Sequence, residues 1–168
     1  MKIPVKRCLH LLAIAMLSAG VARAAQPAFS LSISTPEKVV RLGTELKVKI
    51  RLTNTSKEEI YISREKSDEL GEFNYGVEVR DLQGKKQKET KYFRKLQTDE
   101  DLPGEYSIIV SSPWQFKLNP GESLEDGVII NKLFNISEPG KYAIQVERLD
   151  EQVKTKVKSN KMMVTQVD

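Results

Sequence analysis

The sequence predicts an all-β fold, a single antiparallel sandwich of Greek-key type with roughly seven to nine short strands. Three observations predict it. Phe29-Ser30-Leu31-Ser32-Ile33-Ser34 alternates strictly between apolar residues and serine, and Leu46, Val48, Ile50 and Leu52 alternate with Lys47, Lys49, Arg51 and Thr53. That period of two marks strands with one buried and one wet face. Turn residues recur between such runs, at Asn54-Thr55-Ser56-Lys57, Asp81-Leu82-Gln83-Gly84-Lys85, Asn119-Pro120-Gly121-Glu122 and Pro139-Gly140. No segment of ten or more residues carries a helical period.

In chain order, residues 1–24 read as a secretory signal: Lys2, Lys6 and Arg7 open it, Leu9 to Leu17 is a short apolar run, and Ala22-Arg23-Ala24 is a small-x-small cleavage site. Such a run is about half the ~20 residues that span a bilayer, so no membrane insertion is expected after cleavage. Cys8 precedes the apolar run, the wrong side for lipid attachment. The expected location is the periplasm or the exterior of a bacterial cell, and residues 25–168 form the expected single domain.

Without the signal the charge balance changes. The chain has 27 Lys and Arg against 23 Asp and Glu, and Lys2, Lys6, Arg7 and Arg23 all lie in the signal, leaving 23 against 23. The basic character is therefore no argument for binding nucleic acid. Cys8 and His10 are the sole Cys and His. Residues 25–168 thus lack the imidazole or thiolate that Ser-His-Asp and Cys-His catalysis require, and the His or Cys ligands of common transition-metal sites. The expectation is no catalytic residue, no metal and no cofactor. No disulfide can form within this part, so the core alone must hold the fold.

The first two alternating runs are followed by a strand from Glu58 to Ser63, with Ile60 and Ile62 inward and Tyr61 outward. Arg64 to Asn74 reads as a charged loop. Tyr75 to Arg80 is the next strand, Gly84 is placed for a positive φ in the turn after it, and a charged return strand is expected from about Lys86 to Phe93, fitting an exposed edge. Arg94 to Pro113 is an acidic, turn-rich insertion with a short strand at Tyr106 to Val110. Trp114, Phe116 and Leu118 share one phase, which predicts a core position for Trp114. Strands then follow at Leu124 to Asn131, Lys141 to Arg148 and Val157 to Val167. Pro139, Gly140 and Tyr142 form a structural corner, the Tyr ring in the core and its hydroxyl bonded to upstream backbone.

Leu118-Asn119-Pro120-Gly121-Glu122-Ser123, then Ser137-Glu138-Pro139-Gly140-Lys141-Tyr142-Ala143-Ile144-Gln145-Val146, then Lys158-Ser159-Asn160, resemble the second half of immunoglobulin-like or fibronectin-III-like domains of secreted bacterial proteins. Asn54-Thr55-Ser56 after the long second strand is similar to the B–C region of those domains, and to proteinase-inhibitor domains of the BsuPI type. The resemblance implies an immunoglobulin-like sandwich without the immunoglobulin Cys pair, and carries no catalytic content.

Candidate binding residues are Tyr61, Phe73, Tyr75, Tyr92 and Phe93, aromatics in or beside the loop and edge regions, together with Arg94; if they converge they form a contact surface. Asp99-Glu100-Asp101 lacks the further ligands and Gly of a calcium loop and reads as a solvated turn. No pair of carboxylates is singled out for glycoside hydrolysis. Asn54 and Asn135 match the glycosylation pattern but read as turn residues. The expected function is a non-enzymatic exported binding domain whose partner is another envelope or secreted protein. The alternatives are a proteinase inhibitor acting through the loop that holds Arg94, Lys95 and Leu96, and a carbohydrate-binding accessory domain using Tyr61 or Trp114.

Overall fold

The alternation seen in the sequence becomes β1 (Phe29–Ser34) and β3 (Lys47–Asn54), whose apolar residues are buried while the intervening serines and basic residues face solvent. β3 is central. It pairs antiparallel with β1 on one side and with β7 (Ser123–Ile129) on the other, aligning Leu31, Leu52 and Leu124 across the sheet. The computed structural model describes residues 26–64, 74–98 and 114–168. The signal reading, most of the Arg64 to Asn74 loop and the bulk of the insertion, with its Tyr106 to Val110 strand, fall outside these residues.

The second sheet runs in the order β2 (Val39–Arg41), β10 (Met162–Val167), β8 (Gly140–Asp150) and β5 (Gly76–Asp81), with β9 (Thr155–Lys158) on the far half of β8. All its pairs are antiparallel except β2 with β10. A two-stranded ribbon of β4 (Ile60–Arg64) and β6 (Trp114–Leu118) completes ten strands among the described residues. The inward rows of both sheets, including Ile33, Ile50 and Val128 from one and Val79, Ile144 and Val164 from the other, meet in a single apolar cluster. The chain is an all-β, immunoglobulin-like sandwich whose core is the seam between two non-sequential sheets.

Three local expectations are corrected. The return strand from Lys86 to Phe93 does not form. After the turn, where Gly84 adopts φ +80°, Lys86 bridges to Arg80 between the Asp81 N–H to Lys85 carbonyl and Gln87 N–H to Val79 carbonyl bonds, and Glu89 bridges away to Phe134, before the chain enters α1 (Lys91–Thr98). Thr90 is the cause: its Oγ1 accepts from the Phe93 N–H at 3.1 Å, the N-cap geometry that starts a helix. α1 then buries Phe93 against Phe134, ring centroids 5.3 Å apart.

The strand expected to reach Asn131 stops at Ile129 and turns into α2 (Ile130–Leu133), which delivers Ile130 and Leu133 to the core. Asn131 Oδ1 accepts from the Leu46 N–H at 2.6 Å, holding that turn against the start of β3. Finally, the run from Val157 to Val167 is broken at Ser159-Asn160. Ser159 Oγ accepts from the Val146 N–H where a backbone carbonyl would have done so, and the Asn160 side chain bonds both the N–H and the carbonyl of Ile33. Ser159 and Asn160 thus end one strand, and Asn160 caps the edge of β1 at Ile33.

At the corner, the Tyr142 ring is buried and its hydroxyl donates to the Glu138 carbonyl at 2.7 Å, with Pro139 between them and Gly140 opening β8. Burial, then the nearby Glu138 and Asp81, raise the phenol's pKa. Tyr142→Phe is expected to cost about 1 kcal/mol, measured as a lowered urea midpoint at unchanged slope. An unchanged midpoint would show that the bond is replaced by water without loss.

Candidate binding face along the edge of the second sheet

The predicted aromatic residues are dispersed by the fold. Tyr75 and Phe93 are only 4% and 2% exposed, so both belong to the core rather than to a contact surface. Tyr61 projects from the outer face of the ribbon, its hydroxyl donating to Glu59, which also pairs with Lys117. Lys117 and then Tyr61 hold the Glu59 carboxyl below its usual range. Trp114 lies opposite Arg64 on the other face of the ribbon and is 53% exposed, because the strand outruns the core there. Its core expectation is therefore corrected, and Tyr61 and Trp114 cannot form one stacking platform. Tyr92 and Arg94 lie exposed on α1, the Arg94 guanidinium reaching the Glu89 carbonyl. Phe73 lies outside the described residues.

A buried polar network, which the sequence did not single out, ties the elements at one end of the sandwich. Asp126 on β7 has a fully buried carboxylate: Oδ2 accepts from the Tyr75 hydroxyl at 2.7 Å, and Oδ1 lies 3.3 Å from Arg64 Nη1 on β4. The second contact is an ion pair of poor hydrogen-bond alignment, since Oδ1 has no aligned donor. Arg148 on β8 stacks over the Tyr75 ring, 5.3 Å from its centroid, and donates from Nη2 to the Ser63 carbonyl at 2.5 Å. Ribbon and both sheets meet on these side chains.

Beside this network lies the edge of β5. The Val79 carbonyl accepts from Gln87 and the Asp81 N–H donates to Lys85, so both residues point away from β8. In a strand the direction alternates, so Val77 also points outward. Among the described residues its N–H and C=O meet no backbone partner on that side. A cleft of about 620 Å³ reaches this edge, lined by Val77, Phe93 and Lys86 and, on the paired side of β5, by Glu147 of β8 and Lys156 and Lys158 of β9. A second, of about 500 Å³, continues past the Gly84 turn to Tyr142, and Lys86 lines both.

Charge on this face is paired but unequal. Glu78 accepts from Arg80 at 2.7 Å and contacts Lys86 at 3.0 Å. Those two bonds, Arg80's first, pull the Glu78 carboxyl down to about 2. Glu147 holds Lys156 at 2.5 Å and Lys158 at 3.9 Å. Gly76 makes room for it: a Cβ there would stand 3.0 Å from Glu147 Cγ.

No family model matches this chain, and no curated protein does. Among solved structures, the CARDB domain of a Pyrococcus furiosus protein, in complex with di-metal ions, is similar at 14% identity and a TM-score of 0.42, over 84% of this chain and 89% of that one. A β-glucosidase from Listeria innocua in complex with glucose is similar at 16% identity and a TM-score of 0.42, over 84% of this chain but only 16% of the enzyme. A β-glucosidase from Erythrobacter marinus is similar at 14% identity and a TM-score of 0.41, again over 16% of the enzyme. Chemistry does not transfer across likeness of this order. Among the described residues, no group of three or more His, Cys, Asp or Glu is placed to hold a metal ion, and no helix is long and apolar enough to cross a membrane.

Proposed function

We propose that this chain is an exported, non-enzymatic binding module that captures an extended segment of a partner protein by strand addition at the Val77 end of β5, ahead of the Lys85–Gln87 segment that occupies the rest of the edge. The observation that carries the reading is the outward backbone of Val77 beside the 620 Å³ cleft. An open strand edge offers main-chain hydrogen bonds for affinity, and a flanking cleft offers side-chain pockets for specificity. Export is supported by the Lys-rich start, apolar run and small-x-small site of residues 1–24, and the absence of an enzymatic role by the lack of His and Cys after them. β7 also presents outward residues, Ser123, Glu125 and Gly127, but neither the 620 Å³ cleft nor the 500 Å³ cleft is lined by β7. Asn160 occupies the edge of β1 at Ile33, and that edge also lies beside β8 and β9.

The rival readings have less geometric support. A proteinase inhibitor offers an extended backbone to the enzyme, whereas Arg94, Lys95 and Leu96 are wound into α1. Tyr61 and Trp114 are both exposed but lie on opposite faces of the ribbon, so a sugar would meet a single ring and no shared platform.

The test is to pan the protein against a library of extended peptides and map selected binders by amide chemical shift and exchange. Binders are expected to protect the Val77 amide and to lose affinity when alternate peptide nitrogens are methylated. Val77→Pro, which deletes one outward N–H and leaves the β8 ladder intact, is expected to abolish binding while the far-ultraviolet spectrum stays native. Binders that protect Glu125 and Gly127 instead, or that tolerate methylation, would overturn the proposal.

A further inference from the structure

The charges along β5 say what kind of segment would fit. Each carboxylate on this face already holds two cations, Glu78 with Arg80 and Lys86, and Glu147 with Lys156 and Lys158. Two carboxylates against four cations leave two positive charges without a local counter-charge. The imbalance is local, because beyond residue 24 the chain is balanced at 23 against 23. The lysines are also reachable: the side chains of Lys86, Lys156 and Lys158 are 68%, 65% and 59% exposed. Past Lys86 the second cleft adds Lys85, Lys88 and Lys141 against Asp81 and Glu138, a surplus of one, so the main excess stays at the first cleft.

The face has a periodicity as well. Glu78 and Arg80 share the outer face of β5, and in the sheet Glu147 aligns with Gly76 on one side and with Lys158 on the other. A strand added beside β5 would place every second side chain on this outer, basic face. Its other side chains would turn inward, where the buried ring of Phe93 and the side chain of Val77 wall the cleft. An acidic residue on the outer row relieves the surplus charge, and an apolar one on the inner row extends the core.

We infer that the captured segment is an acidic strand of a partner polypeptide, in which carboxylates alternate with apolar residues. The inference rests on strand addition at β5 and adds the chemistry of the partner. Polyanions of other kinds would meet the lysines but would leave the outward N–H and C=O of Val77 without strand-like partners.

The experiment compares three synthetic peptides of about ten residues, which span about 33 Å when extended. In each, Val alternates with Glu, Ser or Lys. Affinity is read by fluorescence anisotropy and location by exchange protection of the Val77 amide. The Glu peptide is expected to bind roughly tenfold more tightly than the Ser peptide, with a preference that fades as salt rises. The triple variant Lys86→Glu/Lys156→Glu/Lys158→Glu, whose substitutions lie at exposed ion pairs of small energetic weight, is expected to reverse the order in favour of the Lys peptide. Equal binding of the Glu and Ser peptides, with Val77 protected by both, would overturn the acidic specificity and leave strand addition standing. Glu-peptide binding without protection of Val77, or no binding by any of the three, would overturn both.

Discussion

Replacing Asp126 by Ala is expected to destabilise the protein by about 3–5 kcal/mol, the cost of removing one partner from a buried charge pair. The carboxylate is fully buried, and its loss strands the Tyr75 hydroxyl and removes the ion-pair partner of Arg64, which is itself mostly buried. Tyr75→Phe removes one charge-assisted bond and is expected to cost about 1.5–3 kcal/mol. A double-mutant cycle on Tyr75 and Asp126 should show coupling above about 1 kcal/mol, since the two share the 2.7 Å bond. Urea denaturation reads all three. A cost for Asp126→Ala below that of Tyr142→Phe would mean that the site is wet in solution and that the network does not hold the ribbon to the sheets.

The same cluster makes a prediction about pH. Burial first, and then the Asp126 charge, push the Tyr75 phenol well above its ordinary value of 10.0. The folded pKa is therefore higher than the unfolded one, so the neutral phenol's contribution is fully present below the unfolded value of 10.0 and is lost as pH rises from there through the folded value. The alkaline limb of the stability profile should flatten in Tyr75→Phe.

Most of the strands were legible because period-two alternation reports directly which face is buried, as in Phe29 to Ser34. What escaped was set by single side chains reaching across the fold. Thr90 looked like one more polar residue on a charged edge, yet its hydroxyl caps α1. Ser159 and Asn160 break a continuous-looking run through bonds to Val146 and to Ile33, the latter 127 residues away in sequence. The binding face was half legible. Edge charge near β5 was visible, but its asymmetry depends on Lys156 and Lys158 lying across β8 from it, a register no local pattern carries. Asp126 could not be singled out among 23 acidic residues, though its phase on β7, inward with Val128, was a usable signal.

The opposite sign is expected at Gln166. It ends the inward row Met162, Val164, Gln166 of β10, beside Val40 of β2 and Gly140 of β8, and is 1% exposed. Both its amide oxygen and its amide nitrogen are buried without a hydrogen-bond partner. Each such atom forfeits about 1–3 kcal/mol of lost hydration, while Met has nearly the same volume and a volume-conserving swap costs less than about 1.5 kcal/mol. Gln166→Met is therefore expected to stabilise the fold by about 1–2 kcal/mol, read as a rise in Tm of roughly 3–8 °C. A fall in Tm would show that the amide is satisfied in solution. Because Asp126 and Gln166 are both buried polar residues on inward rows, measuring both substitutions decides whether polarity or pairing governs the cost. A loss at Asp126 with a gain at Gln166 assigns it to pairing; losses at both would mean that this core accommodates polar groups by admitting water.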